Sequence, residues 1–470
     1  MDTEKIYVGG YFCETENIIE VRNSYSNKLV GKTYLAGKKE IDEAINKAIT
    51  ARDEMKRLPA YKRFEILMQI AEGIKKSNIA EIIALEACKP IRYAKAEVDR
   101  AIQTFIVAAE ESKRLPAEYI SIDWTKQGEG KEGIVRYFPV GIIAGIVPFN
   151  FPLNLAAHKI APAIASGNCI IIKPASSTPL SALELAKIID KTDLPKGAFS
   201  VLPMNRQLGQ LLVEDNRIQM LSFTGSPDVG WKIKNQAGKK KVTLELGGNA
   251  GVIITQSADL SIAIPKCITG AFAYSGQICI HTQRIYVHKS IYSKFIDEFC
   301  NKTSKLIIGD VFDENTDISA LIDKENAIRV EKWINEAINN GAKLLCGGKR
   351  INNVIEPTVL TSTNFSMKVC SKEIFGPVVI IEPYNSFNEA INLINEGEYG
   401  LQAGVFTNQI DEMNFAFENL DVGGVMINEV PTFRVDHMPY GGIKNSGFGR
   451  EGVKYAIHEM MEAKVLVKPK

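Results

Sequence analysis

Phe138-Pro139-Val140-Gly141-Ile142-Ile143-Ala144-Gly145-Ile146-Val147-Pro148-Phe149-Asn150-Phe151-Pro152-Leu153-Asn154-Leu155-Ala156-Ala157 carries no charged side chain. An apolar run of this length is about what spans a bilayer as one helix. Pro139, Gly141, Gly145, Pro148 and Pro152 would break that helix repeatedly, and Asn150 and Asn154 would sit at mid-depth. The stretch therefore reads as a buried strand over 140–147, a turn, and the start of a core helix over 153–165. A buried strand feeding a core helix is the opening unit of an α/β fold.

The same rhythm runs on to residue 246. Strands are expected over 169–173, 199–202, 219–223 and 241–246, and helices over 179–190, 206–213 and 227–236, with Pro179 well placed at a helix start. Such alternation predicts a parallel, doubly wound sheet with ligands at the strand carboxyl ends. After Gly247 a second alternating region begins, with strands at 251–254 and 283–288 and helices at 258–273, 290–305 and 322–340. Upstream, apolar residues from Lys39 to about Leu115 recur at intervals of three and four, as in helices, and Arg100 there reads as a surface or interface partner. Residues 118–137 read as two short strands around Gly128-Glu129-Gly130, a ribbon only marginally stable alone. The alternating Ala463-Lys464-Val465-Leu466-Val467 is another strand in need of a partner, and a sheet shared across subunits would satisfy both.

The fold class is therefore α/β, with two doubly wound domains and a small β ribbon. The expected division is 1–117 and 138–246 for dinucleotide binding, 247–450 for catalysis, and 118–137 with 451–470 for oligomerisation.

Bulk composition narrows the function. The 470 residues are 45% hydrophobic and 24% charged, as in an ordinary globular protein, and the net charge of +1 offers no field for nucleic acid or an anionic membrane. Lys239-Lys240-Lys241 reads as a solvated turn. The eight cysteines form no Cys-x-x-Cys pair and no His/Cys cluster, which argues against zinc and disulfide scaffolds and suits a reducing cytoplasm. Met1-Asp2-Thr3-Glu4-Lys5 lacks the apolar core of an export signal, so a cytoplasmic location is expected.

Chemistry gathers on a few turns. Gly276-Gln277-Ile278-Cys279-Ile280 presents a thiol in a glycine-led turn, where a nearby base or backbone donor can activate it. Free cysteines are most often small core hydrophobes, so this turn alone decides nothing. Glu245, in Leu244-Glu245-Leu246-Gly247-Gly248-Asn249, and Asn150 would add a base and an oxyanion donor. Thr224-Gly225-Ser226-Pro227-Asp228-Val229-Gly230 opens a helix after a strand and is either a phosphate site or only a turn. Lys173-Pro174-Ala175-Ser176 puts a cation and a hydroxyl at a second strand end, with an exposed cap as the alternative.

Pro148-Phe149-Asn150-Phe151-Pro152, Lys173-Pro174-Ala175-Ser176, Phe223-Thr224-Gly225-Ser226, Glu245-Leu246-Gly247-Gly248, Gly276-Gln277-Ile278-Cys279, Glu373-Ile374-Phe375-Gly376-Pro377 and Ser446-Gly447-Phe448-Gly449-Arg450-Glu451 follow one another in an order that resembles the aldehyde dehydrogenase superfamily over nearly the whole chain. The resemblance implies that Cys279 attacks an aldehyde and that Asn150 with the Cys279 N–H holds the oxyanion, at about 2.7–4 kcal/mol per donor. It further implies that Glu245 activates the water that hydrolyses the thioester. NAD or NADP would lie against Pro148, Lys173, Ser176, Gly225, Ser226, Gly230, Glu245, Leu246, Glu373 and Phe375, with no metal, in a homodimer or homotetramer.

Within the superfamily the loop Phe433-Arg434-Val435-Asp436-His437-Met438-Pro439 resembles lactaldehyde and related short hydroxyaldehyde dehydrogenases, where Arg434 or His437 would meet a polar substrate or only brace the loop. Ile278 stands where the phosphate-handling glyceraldehyde branch has arginine, and Glu245 is the residue that CoA-acylating members lack. Ser176 stands where many NAD-preferring relatives hold glutamate, which favours NADP. Alternatives are oxidation of succinate semialdehyde or glyceraldehyde 3-phosphate, a cofactor-free thiol esterase, and a non-catalytic protein of the same fold.

Overall fold

The computed structural model describes residues 3–470; Met1 and Asp2, which belong to the stretch read for an export signal and to the 1–117 segment, lie outside the described residues. The first sheet has a parallel core of Ile142–Ile146, Cys169–Lys173, Phe199–Val201, Met220–Thr224 and Lys241–Glu245. From the Ile142 strand the chain steps outward through the next two strands, then returns to the other side for the last two. The winding reverses between the Ile142 and Met220 strands, and a crevice opens at the carboxyl ends of such a switch point. Every residue of the following helix, Asn154–Ser166, is buried, His158 and Lys159 included.

The second sheet is parallel through Ala250–Ile254, Thr282–His288, Thr358–Thr361, Val378–Tyr384, Gln402–Phe406 and Gly424–Ile427, with Lys343–Cys346 antiparallel at one edge. Only Leu246 to Asn249 separate the last parallel strand of the first sheet from Ala250–Ile254, an inner strand of the second. Glu245 therefore ends one sheet at the seam with the other. The fold is α/β, two doubly wound sheets with a small β ribbon, as the alternating pattern implied.

Three features differ from expectation. Residues before the helical leader form strands, of which Ile6–Tyr7 extends the first sheet antiparallel to Phe199–Val201 and Phe12–Cys13 in turn pairs antiparallel with Ile6–Tyr7. They are too short to show an alternating pattern. Gly447–Phe448, inside the 247–450 segment, also joins the first sheet, antiparallel to Lys241–Glu245. The ribbon Ala117–Ser121 and Lys131–Pro139 pairs with Met461–Pro469 of its own chain, so the two orphan segments satisfy each other without a second subunit. The uncharged 138–157 stretch is divided between two strands and a helix, and among the described residues no helix is long and apolar enough to cross a membrane.

Candidate active site

The helix Leu260–Phe272 ends in a single tight turn, Ala273–Gly276, in which Tyr274, Ser275 and Gly276 have φ of 48°, 53° and 71°. Consecutive non-glycine residues in this region cost of order 1–3 kcal/mol each and persist only where surroundings impose them. Here the surroundings are specific. Tyr274 Oη donates to the Ala87 carbonyl at 2.9 Å, Ser275 Oγ to the Ser319 carbonyl at 2.8 Å, and the Gln277 side chain accepts from Ile322 N at 2.9 Å. The turn delivers Cys279, partly exposed, ahead of the Thr282 strand. A Cβ at Gly248 would lie 2.2 Å from the Cys279 carbonyl oxygen, so the Gly-Gly pair after Glu245 lets the seam close onto the Cys279 turn.

Burial drives the Cys279 thiol up to about 11, against a hydrogen bond from Tyr440 and the Arg434 charge; Glu373 and Glu245 add to the rise. Asn150 is buried and its Nδ2 donates to the Gln277 carbonyl at 3.0 Å, which puts its amide against the Cys279 turn. Glu245 is 3% exposed, and neither carboxyl oxygen has a hydrogen-bond partner among the described residues. Burial, with the Glu451 carboxylate beside it, holds Glu245 well above the usual carboxylate range. A buried carboxyl of that kind takes up a proton readily.

Arg434, in the 433–439 loop, is nearly buried. Its guanidinium carbon lies 3.6 Å from the Tyr440 ring centroid, and its Nη2 sits 3.4 Å from Glu451 and 3.3 Å from His158 Nε2. Asp436 two residues on accepts from Arg100 at 2.8 Å and 3.2 Å and from Asn154 at 3.2 Å, and lies 2.8 Å from His158. Arg100, read as a surface or interface partner, pairs with Asp436 and anchors the site loop from a distant helix. His437 is exposed and makes no hydrogen bond among the described residues, so Arg434 joins the site and His437 stands outside its network.

The cofactor candidates collect at the carboxyl ends of the first sheet. Gly225 N donates to the Glu245 carbonyl at 3.0 Å. Exposed Ser226 caps the helix Pro227–Gln236 with its side chain free of any capping bond, beside the donors of that helix start. Gly230 faces Leu246 so closely that a Cβ would lie 2.3 Å from its Cδ2. Pro148, half-buried, follows the Ile142 strand. Lys173 ends the next strand, and burial followed by the nearby Arg206 charge lowers it to about 8; Ser176 is exposed beyond it. Across the seam Glu373 accepts from Gly248 N at 3.0 Å, and burial raises it to about 7. Phe375 packs edge-on to Phe149 at 5.9 Å, joining the second sheet's loop to the first sheet's. Two cations, exposed hydroxyls and a helix start along one rim fit a dinucleotide.

The aldehyde dehydrogenase family profile matches residues 12–466. The chain belongs to the aldehyde dehydrogenase family. A 3-sulfolactaldehyde dehydrogenase of Priestia aryabhattai is 42% identical over 466 residues, 98% of this chain and 97% of that one. A lactaldehyde dehydrogenase of Methanococcus aeolicus is 44% identical over 471 residues, covering 98% and 99%. Among solved structures, aldehyde dehydrogenase 21 of Physcomitrella patens, in complex with the reaction product succinate, superposes with a TM-score of 0.98 at 43% identity, covering 99% and 98%. A glyceraldehyde-3-phosphate dehydrogenase of Methanocaldococcus jannaschii, complexed with NADP, gives 0.93 at 43%, covering 97% and 100%.

This aldehyde dehydrogenase holds site residues that sequence reasoning passed over. Lys159 Nζ donates to Ser222 Oγ at 3.0 Å, Thr224 Oγ1 at 2.8 Å and Glu451 at 3.0 Å, beneath the switch point. Burial opposes ionisation of Glu451, but Lys159, His158 and Arg434 outweigh it and keep that carboxyl ionised. The signal was available: a lysine beside His158 in the middle of a helix whose other interior residues are apolar needs a buried partner. Arg206, at the first position of the helix Arg206–Glu214, had none, since a cation at an exposed helix start is commonplace.

Proposed function

We propose that this dehydrogenase oxidises a small polar aldehyde, a 2-hydroxyaldehyde or a close analogue, to its carboxylic acid, with NADP used at least as well as NAD. The observation that carries the reading is the meeting of the Cys279 thiol, the Asn150 amide and the unpartnered Glu245 carboxyl at the seam of two sheets. Bound nicotinamide supplies the hydride acceptor. Cys279 Sγ adds to the aldehyde carbon, and the Asn150 amide and Cys279 N–H stabilise the oxyanion that forms. Glu245, its affinity for protons raised by burial, then takes a proton from the water that hydrolyses the thioester.

Arg434 is the proposed contact for the substrate's polar end, and His437 at most a weak one. Ile278 beside the nucleophile offers no cation for a phosphate. Lys173, Ser176 and Arg206 are the proposed holders of the adenosine ribose and a 2′-phosphate, Ser226 of the pyrophosphate, and Glu373 of the nicotinamide ribose. Pro148, Gly225, Gly230, Leu246 and Phe375 would shape the walls. The proposed division of labour is dinucleotide binding by 1–117 and 138–246, catalysis by 247–450, and oligomer contact by 118–137 with 451–470. Tyr119, Val465, Leu466 and Val467, all more than half exposed on the ribbon sheet, support a homodimer or homotetramer. The eight free cysteines support a reducing, cytoplasmic setting.

The test is a panel of lactaldehyde, glyceraldehyde, succinic semialdehyde and propanal, followed by nucleotide reduction with each cofactor. Acid formation from the hydroxylated aldehydes is expected. Ester turnover with no nucleotide requirement would instead make the protein a thiol esterase.

A further inference from the structure

We propose that Tyr440 is a further catalytic residue, its phenol donating a hydrogen bond to the Cys279 thiolate and so setting the reactivity of the nucleophile. The inference rests on the proposed role of Cys279. Tyr440 Oη lies 3.0 Å from Cys279 Sγ, and this is the one hydrogen bond the sulfur makes among the described residues. The ring is 4% exposed and packs with Ile280 and Leu401 around the thiol. Its backbone is pinned on both sides, Tyr440 N donating to the Glu451 carbonyl at 3.0 Å and Glu451 N to the Tyr440 carbonyl at 2.6 Å.

The direction of the bond follows from charge. Burial and the neighbouring Cys279 and Glu245 hold the Tyr440 phenol well above its ordinary value, so it keeps its proton and acts only as a donor. A donor aimed at sulfur stabilises the thiolate more than the thiol, because a bond to an ionised acceptor is the stronger one. Arg434, stacked on the ring, adds positive potential on the same side. The charged groups facing the sulfur are thus Arg434, which favours the thiolate with Tyr440, and Glu245 and Glu373, which oppose it. Neither carboxyl can donate once ionised. The thiolate then forms its bond to the aldehyde carbon, the carbonyl electron pair moves to oxygen, and Tyr440 gives up no proton.

The test is the pH dependence of iodoacetamide alkylation at Cys279, followed on the Cys279 peptide by mass spectrometry, in the parent and in Tyr440→Phe. The variant loses one oxygen and keeps the ring that Arg434 stacks on. The expected result is an upward displacement of the midpoint by about one pH unit, a roughly tenfold slower alkylation below the midpoint, and an unchanged rate at high pH. In the holoenzyme the first-turnover burst should slow about tenfold at neutral pH and recover as pH rises. Incorporation of 3-fluorotyrosine at 440, a more acidic donor, should move the midpoint down, which keeps the test available if the phenylalanine variant folds poorly. An unmoved midpoint in both variants, or a lower plateau without displacement, would overturn the proposal. Failure of the aldehyde panel with the midpoint still displaced would sink the dehydrogenase reading and leave the donor role standing.

Discussion

Lys89 donates a 2.6 Å hydrogen bond to the backbone carbonyl of Asn150 and pairs with Glu97, and both ionic side chains are wholly buried. The other oxygen of Glu97 accepts from Leu153 N at 2.9 Å and Asn154 N at 3.1 Å, at the start of the helix that follows Asn150. The Lys89 ammonium also lies 3.8 Å from the Phe151 ring centroid and 4.4 Å from that of Tyr274, on the turn that leads to Cys279. One buried cation therefore fixes both halves of the proposed oxyanion site. Lys89→Met would leave Glu97 buried without its counter-charge, and breaking a buried pair in this way costs about 3–5 kcal/mol. Denaturant unfolding should register that loss, whereas Lys89→Met/Glu97→Gln, which removes the stranded charge and keeps an oxygen for the Leu153 and Asn154 amides, should recover much of it. Equal stability of the single variant and the parent would refute this account of the loop.

Cys279→Ala should abolish nucleotide reduction and leave NADP binding within about twofold, because the substitution removes the covalent step and little volume. Glu245→Gln should separate the half-reactions. With the carboxyl needed to activate water, stopped-flow should show a retained burst of reduced nucleotide and collapsed steady turnover. Loss of the burst as well would mean that Glu245 also receives the thiol proton.

Long-range side-chain chemistry explains what the chain did not disclose. The alternation from 138 to 246 gives the parallel sheet because a strand buried on both faces has no polar side, and Cys279, Glu245 and Asn150 stand out as turn residues beside glycines. Tyr440 stands in the Gly/Pro turn Pro439-Tyr440-Gly441-Gly442, and nothing local marks a phenol that meets a sulfur 161 positions away in sequence. Arg100 and Asp436, 336 apart, form an ion pair that no helical spacing reveals. The ribbon and the C-terminal strand were legible as needing partners, but the choice between self-pairing and pairing across subunits depends on where the chain end emerges.

Arg434→Ala should raise the Michaelis constant for glyceraldehyde and succinic semialdehyde more than for propanal, if the guanidinium meets the polar end of the substrate. Its stacking on Tyr440 means that the variant also loses potential at the sulfur, which lowers turnover for all three aldehydes alike. The ratio of Michaelis constants, not the turnover number, isolates the substrate contact. His437→Ala should leave that ratio unchanged, since His437 is exposed.

Lys173 supplies a pH test of the cofactor rim. Burial and Arg206 lower it to about 8 in the free protein. The charged form is what attracts a 2′-phosphate, so NADP affinity should be full below that value and fall as pH rises through it. NAD, lacking the phosphate, should show a much flatter profile. Titration calorimetry between pH 6.5 and 9.5 reads both, and parallel profiles would place the phosphate away from Lys173.

The choice between the two cofactors turns on Ser176. A carboxylate here would lie near any 2′-phosphate held by Lys173, and two like charges at about 4 Å repel by roughly 1–4 kcal/mol according to the effective dielectric. Serine removes that repulsion, worth about one to three decades of affinity, and offers a donor in its place. Arg206 strengthens the case, because its charge at the exposed start of a neighbouring helix raises the energy of the partly buried Lys173 ammonium until an anion arrives. Ser176→Glu should therefore lower catalytic efficiency with NADP by at least tenfold and leave NAD nearly unaffected or improved. Arg206→Ala should cut NADP efficiency by a smaller factor and, by removing a neighbouring charge, raise the apo pKa of Lys173. A strong NAD preference in the parent, or undiminished NADP use in Ser176→Glu, would show that the discrimination is made elsewhere on the rim.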